Sequence, residues 1–106
     1  LRSGPPLVRR AAAWALGELR DPLAVPALVK ALADREWAVR ADAALALGRM
    51  RRPEAIGPLA KLLQDEEALV RDEAAWSLQQ IGTPEALESL QRATVAARHP
   101  TPEGPM

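Results

Sequence analysis

The sequence predicts an all-α protein, a right-handed α-solenoid of about three stacked helical hairpins with a period of 31 residues. Three observations carry that expectation. A Val-Arg pair recurs at Val8, Val39 and Val70, 31 residues apart each time, and the text after each pair is closely repeated. The apolar residues inside each copy fall at helical rather than alternating spacing. The composition agrees, because 48% of the residues are hydrophobic, with Ala prominent and aromatics limited to 3 Trp. That suits helices packed through small side chains better than a β-sandwich.

Residues 1–7, LRSGPPL, match the end of a repeat, with Leu1 at the place of Leu32 and Leu63. They read as the remnant of a preceding hairpin, and the chain as the C-terminal part of a longer array. Repeat 1 spans 8–38, repeat 2 spans 39–69, repeat 3 spans 70–98, and 99–106 reads as a flexible Pro-rich tail. The first helix of each repeat carries one apolar stripe. It is Val8, Ala12, Ala15, Leu16 and Leu19 in the first copy and Val39, Ala43, Ala46, Leu47 and Met50 in the second. In the third it is Val70, Ala74, Ser77, Leu78 and Ile81. In the middle copy this predicts a helix over about Glu36–Met50. The second helix carries Val25, Leu28, Ala31 and Leu32, then Ile56, Leu59, Leu62 and Leu63, then Leu87, Leu90, Ala93 and Thr94. Neither helix is apolar all round, so each needs a neighbour that a lone hairpin cannot supply.

The breaks follow from backbone chemistry. Pro22, Pro53 and Pro84 share a position where a first helical residue loses no needed hydrogen bond. Asp21 and Thr83 before them can cap a free N–H, whereas Arg52 cannot, which weakens the middle turn by about 1 kcal/mol. Gly82 suits a left-handed end to the first helix; Arg20 and Arg51 fill that role less comfortably. Pro26 and Pro58 would break a continuous second helix, so a short turn should precede a regular helix starting near them. Glu88 and Ser89 stand there in the third copy, and its second helix should run unbroken over about Pro84–Arg98.

The stretch VRRAAAWALGELRDPLAVPALVKALAD resembles a HEAT repeat of the short, phycobilisome-lyase-like type. The shared elements are Val-Arg opening the first helix, Ala-Ala-x-x-Leu-Gly within it, and Asp-Pro-x-Ala-Val-Pro-Ala-Leu after it, in phase over residues 8 to about 92. The resemblance implies a structural Arg–Asp ladder through the inter-repeat turns. Asp34 is expected to tie to Arg40 and Asp65 to Arg71, leaving Arg9 without an acidic partner because Ser3 stands in its place. The resemblance also puts the second helices on the concave face, where Lys30, Lys61 and Arg92 would form a candidate binding stripe for an acidic partner. Such a stripe would step by one helix-packing distance, roughly 8–10 Å. Its flanks, such as Val29, Ala60 and Gln91, offer no aromatics for base stacking.

The leading function is therefore a non-catalytic protein–protein interaction or scaffold module that docks another protein or the rest of its parent chain. An open flank around Arg10, Ala13, Trp14 and Gly17 is a second candidate contact. Trp14 and Trp76 are expected to be buried between adjacent repeats, and Trp37 is either an inter-repeat plug or a surface residue. Gly17 and Gly48 imply a close helix approach, since an interior helical Gly costs about 1 kcal/mol. Gln79 replaces them in the third repeat, which with Gln80, Glu88, Gln91 and Arg92 becomes a polar C-terminal cap. The resemblance keeps a subunit or domain of a bilin lyase-type enzyme as the alternative. The basic ladder keeps nucleic-acid backbone binding as a third reading. The formal net charge of +0 counts against nucleic acid and anionic membranes.

Catalysis has little support. With Cys 0 there is no disulfide, thiolate metal site or Cys nucleophile. His99 is the single His and adjoins Pro100 in the tail. No phosphate-cradling Gly-rich loop or metal-ligand spacing occurs. No catalytic, cofactor-binding or metal residue is assigned and no cofactor is expected. No apolar run approaches the roughly 20 residues of a membrane span, and the expected compartment is the cytoplasm.

Overall fold

The structure, a computed structural model, describes residues 4–98. The tail expected at 99–106 and the first three residues lie outside that range. The described chain consists of six α-helices: α1 (Pro6–Leu19), α2 (Val25–Ala31), α3 (Trp37–Met50), α4 (Ile56–Leu62), α5 (Ala68–Ile81) and α6 (Pro84–Arg98). They pair into hairpins, and the hairpins stack as an α-solenoid. α1, α3 and α5 lie side by side in one layer. α2 packs on α3, and α4 on α5, more than either packs on a fellow second helix.

Proline placement explains why α2 and α4 are half the length of α1, α3 and α5. A 3₁₀ turn at Pro22–Ala24 precedes α2, and another at Pro53–Ala55 precedes α4. Each absorbs the break that Pro26 or Pro58 would otherwise force inside a helix. α6 lacks the second proline and is continuous over 15 residues. The caps follow side-chain chemistry as well. Asp21 Oδ1 accepts the Leu23 amide at 2.9 Å, and Thr83 Oγ1 accepts the Ala86 amide at 3.2 Å. Arg52 offers no side-chain cap, and its Nε is buried without a hydrogen-bond partner among the described residues.

The core runs along the stack. Leu28, Val39, Leu47, Leu59, Val70 and Leu78 are fully buried, filled in by Ala13, Ala43, Ala44, Ala55, Ala74 and Ala86. Truncating a buried Leu such as Leu47 to Ala costs about 2–5 kcal/mol. Glycine sets the spacing of the first-helix layer. A Cβ added at Gly17 would sit 2.6 Å from the Ala46 Cβ, and one added at Gly48 would sit 2.7 Å from the Ser77 Cα. Both lie far inside van der Waals contact, so α1–α3 and α3–α5 approach as only Gly permits. Ser77 stays buried in this seam because its hydroxyl donates to the Ala44 carbonyl. Gln79, at the equivalent position on α5, is exposed.

Trp14 and Trp76 depart from the expectation of burial, and Trp37 takes the surface alternative. Trp14 is 48% exposed, Trp76 36% and Trp37 41%. Helices close enough to exclude a Cβ at Gly17 leave no room for an indole between them. Trp14 instead lies across the α1–α3 seam, with the Arg49 guanidinium 4.4 Å above its ring centroid.

Candidate protein-docking surface

The Arg–Asp ladder forms, but one repeat out of the expected register. Arg9 Nε and Nη2 donate to the Asp34 carboxylate at 2.9 and 3.0 Å. Arg40 Nε and Nη2 donate to the Asp65 carboxylate at 2.9 and 3.1 Å. Each is a two-bond fork, the geometry guanidinium and carboxylate match best. The six-residue spacing that suggested Asp34–Arg40 does bring the two together, but through the backbone. Arg40 Nη1 donates to the Asp34 carbonyl at 2.7 Å, and Arg71 Nη1 to the Asp65 carbonyl at 2.6 Å. Asp34 Oδ1 and Asp65 Oδ1 also accept the Glu36 and Glu67 amides at the starts of α3 and α5, both at 2.9 Å. Arg9 and Arg40 thus each hold the turn before them by a carbonyl, that of Gly4 or Asp34, and the turn after them by a carboxylate, that of Asp34 or Asp65.

Two further expectations are corrected by this register. Arg9 is not unpartnered; its carboxylate is Asp34. Of the three ladder arginines, Arg71 has no carboxylate partner among the described residues; position 96, one register further on, is alanine. Burial pushes the Asp34 and Asp65 carboxyls up, but the arginine forks, the backbone amides and neighbouring arginine charges outweigh it. Both pKa values lie below the ordinary aspartate value. Hydrogen bonding to Asp34 raises the Arg9 pKa above the usual guanidinium value. The Glu73 carboxyl goes the other way, pushed up by burial and by the like charges of Asp42 and Asp72.

Arg10, Ala13, Trp14 and Gly17 are not an open flank. They lie on the side of α1 that meets α3: Arg10 Nε pairs with Asp42 at 2.9 Å, Trp14 carries Arg49, and Gly17 abuts Ala46. Glu18 pairs with Arg49 in the same seam, at 2.5 Å. The open side of α1 is the opposite one. Val8 is 56% exposed, whereas Val39 and Val70 at the same register are 0% exposed. Ala15 is likewise exposed where Ala46 and Ser77 are buried.

On the second-helix face, Lys30 and Lys61 are exposed and in no ion pair among the described residues. Arg92 is exposed but engaged, with its Nη2 2.8 Å from Glu88. Because α2 and α4 lean on the following first helices, a groove of about 660 Å³ opens between them. Its floor is the buried Leu32 and Leu62, its walls the half-buried Val29 and Pro58, and its rim Arg35, Lys61 and Glu66. Arg40 and Asp65 close one side. Arg92 lines two smaller recesses, about 220 Å³ with Leu63 and Ala93 and about 270 Å³ with Gln91 and Val95.

Sequence reasoning found Lys61 and Arg92 but missed the groove, which depends on how far the second helices stand apart. It also missed the Glu18–Arg49 and Arg10–Asp42 pairs. Their signal is the separation of 31 and 32 residues, one period, between acid and base. Among the described residues no group of His, Asp or Glu could hold a metal ion, and no helix is long and apolar enough to cross a membrane. The sequence model of the family described as HEAT repeats matches two overlapping stretches, residues 1–65 and 25–101. No curated protein matches the chain.

Proposed function

Because the chain belongs to the HEAT-repeat family, whose members generally mediate protein–protein contact or scaffolding, we propose that it is a non-catalytic docking module whose second-helix face holds a segment of another protein. The groove between α2 and α4 carries this reading. Its apolar floor and walls, Leu32, Leu62, Val29 and Pro58, sit inside a rim of both charges, Arg35, Lys61 and Glu66. A segment with one or two apolar anchors flanked by charged residues would desolvate that floor, and the rim would steer its approach. A volume of about 660 Å³ is in the range of sites that enclose such groups. Lys30 and Lys61 favour acidic flanks; Arg92 contributes less, because Glu88 already occupies it. The variant V29R/K61E changes the half-buried Val29 and the exposed Lys61; it should keep its far-UV spectrum and a cooperative melt while losing at least tenfold in affinity for a partner captured by the wild type. Unchanged affinity would move the docking surface elsewhere.

The exposed side of α1 supports a second contact. Val8, Ala15 and Leu19 occupy the register at which Val39 and Ala46 are buried and Met50 is half-buried, with Ala46 set against Gly17 of the preceding hairpin. A hairpin of a longer array would cover them in the same way. The finer resemblance to phycobilisome-lyase-like repeats, carried by the Ala-Ala-x-x-Leu-Gly motif, supports the alternative of a bilin lyase-type subunit. A shift in phycobilin absorbance on mixing tests that alternative.

A further inference from the structure

The C-terminal ends of the first helices gather arginines around a recess distinct from the grooves above. α1 ends at Leu19 and α3 at Met50, and the next residue of each, Arg20 and Arg51, has a left-handed backbone with φ of 54°. Glycine adopts that conformation without penalty, and α5 uses it, Gly82 having φ of 67°. Arg20 and Arg51 line one recess of about 350 Å³ together with Arg49, Met50, Trp76 and Gln80, and Gly82 lines none of it. The side chains kept at the strained position are thus those that reach a shared cavity. Strain retained where a cheaper residue is at hand is a mark of function.

Among the described residues, Arg20 and Arg51 are in no ion pair, while Arg49 is held by Glu18 and by the Trp14 ring. The recess therefore offers two uncommitted guanidinium groups beside the partly exposed Trp76 indole and the Gln80 amide. The carbonyl ends of α1 and α3 disfavour an anion, so the guanidinium groups must supply the attraction.

We propose that this recess binds an acidic segment of a partner protein, with one carboxylate forked between Arg20 and Arg51 and a neighbouring apolar residue laid on Trp76. The proposal rests on the protein-docking reading but not on the groove between α2 and α4. Guanidinium presents paired N–H donors in the geometry a carboxylate accepts. A partly exposed Trp supplies the apolar area typical of a binding hot spot. A protein segment fits better than a polyphosphate chain. Glu18, on Arg49, and Asp21, next to Arg20 in sequence, interrupt the continuous positive field that a nucleic-acid backbone requires.

The strained backbone makes the test clean. R20G/R51G removes both guanidinium groups and gives each turn the residue its φ favours, so its melting temperature is expected to hold or rise. The probe is a capped, fluorescein-labelled peptide of alternating Asp-Glu-Leu sequence, with an Asn-Gln-Leu counterpart, in low salt. Wild type is expected to bind the acidic peptide at least tenfold more tightly than the amide peptide. R20G/R51G is expected to lose at least tenfold, and K30A/K61A to lose less than R20G/R51G does. Equal binding by R20G/R51G, no preference for the acidic peptide, or a fall in the melting temperature of R20G/R51G overturns the proposal. If K30A/K61A alone abolishes binding, the recess fails and the second-helix docking reading stands. A single-stranded oligonucleotide that binds more tightly than the peptide, and is lost in R20G/R51G, overturns the assignment to a protein segment.

Discussion

Arg40→Ala removes the fork that ties the second repeat to the turns on either side. Its Nε and Nη2 lie 2.9 and 3.1 Å from the Asp65 carboxylate, and its Nη1 lies 2.7 Å from the Asp34 carbonyl. The paired side chains are only 12% and 9% exposed, so water cannot fully replace what is lost. A hydrogen bond to a charged group contributes about 1.5–3 kcal/mol net, and desolvation of the ion pair offsets part of the sum. Asp65 keeps the Glu67 amide at 2.9 Å, so it is not left wholly unsatisfied. Arg40→Ala is accordingly expected to cost about 2–3 kcal/mol, well below the sum of three such bonds. In a domain of this size that lowers the melting temperature by on the order of 10–20 °C. A double-mutant cycle followed by urea unfolding isolates the pair. Arg40 and Asp65 should couple by about 1–2 kcal/mol, because removing the second partner costs little once the first has gone. Arg40 and the Asp34 side chain should be additive within about 0.5 kcal/mol, since Arg40 meets Asp34 only through its backbone. Stronger coupling to Asp34 than to Asp65 would refute the cross-repeat register.

The other expectations concern seams, charge and flank. Gly48→Ala should destabilise by about 1–3 kcal/mol through the clash with the Ser77 backbone, whereas Gly57→Ala, whose Cβ meets nothing within 4 Å, should stabilise by up to about 1 kcal/mol. Equal effects in denaturant melts would show that the seam is loose. Asp34 and Asp65 have folded pKa values below the ordinary aspartate value of 3.8, so their stabilisation is complete above it and is lost as pH falls through the folded values. Glu73 has its folded pKa raised above 4.5, so its charge opposes folding at neutral pH. Glu73→Gln should therefore raise the urea midpoint at neutral pH, and the gain should vanish as pH falls through the raised value toward 4.5. Val39→Asp should cost more than about 3 kcal/mol by burying an unpaired carboxylate. Val8→Asp, on the open side of α1, should stay within about 1 kcal/mol; comparable losses in thermal melts would mean that Val8 is covered.

What the sequence made legible was local chemistry repeated in phase. The prolines placed the 3₁₀ turns, and Asp21 and Thr83 announced caps. Gly17 and Gly48 announced a close seam because glycine has little other reason to recur inside a helix. What it left hidden was a choice between equivalent registers. Arg40 has Asp34 six residues before it and Asp65 twenty-five after it, and both intervals repeat with the period. The sidedness of α1 was hidden for a similar reason. Alanine lines both of its faces, so Ala13 and Ala15 look alike in sequence although one is buried and the other exposed. The Trp14 position required knowing that Gly17 draws α1 and α3 too close to admit an indole. Gly82 at the same register already marked Arg20 and Arg51 as uncomfortable left-handed ends; that their side chains share a recess with Trp76 required the structure.

Site-specific photo-crosslinking tests the docking role most directly. A benzophenone amino acid is placed at Lys61 or Gln64 on the groove, or at the exposed Asp72 of α5 as a control, and irradiated within the source cell. A discrete protein adduct from Lys61 and Gln64, absent from Asp72 and reduced by V29R, is the predicted result. Adducts from Asp72 alone, or none from the groove positions in a folded protein, would contradict docking on the second-helix face.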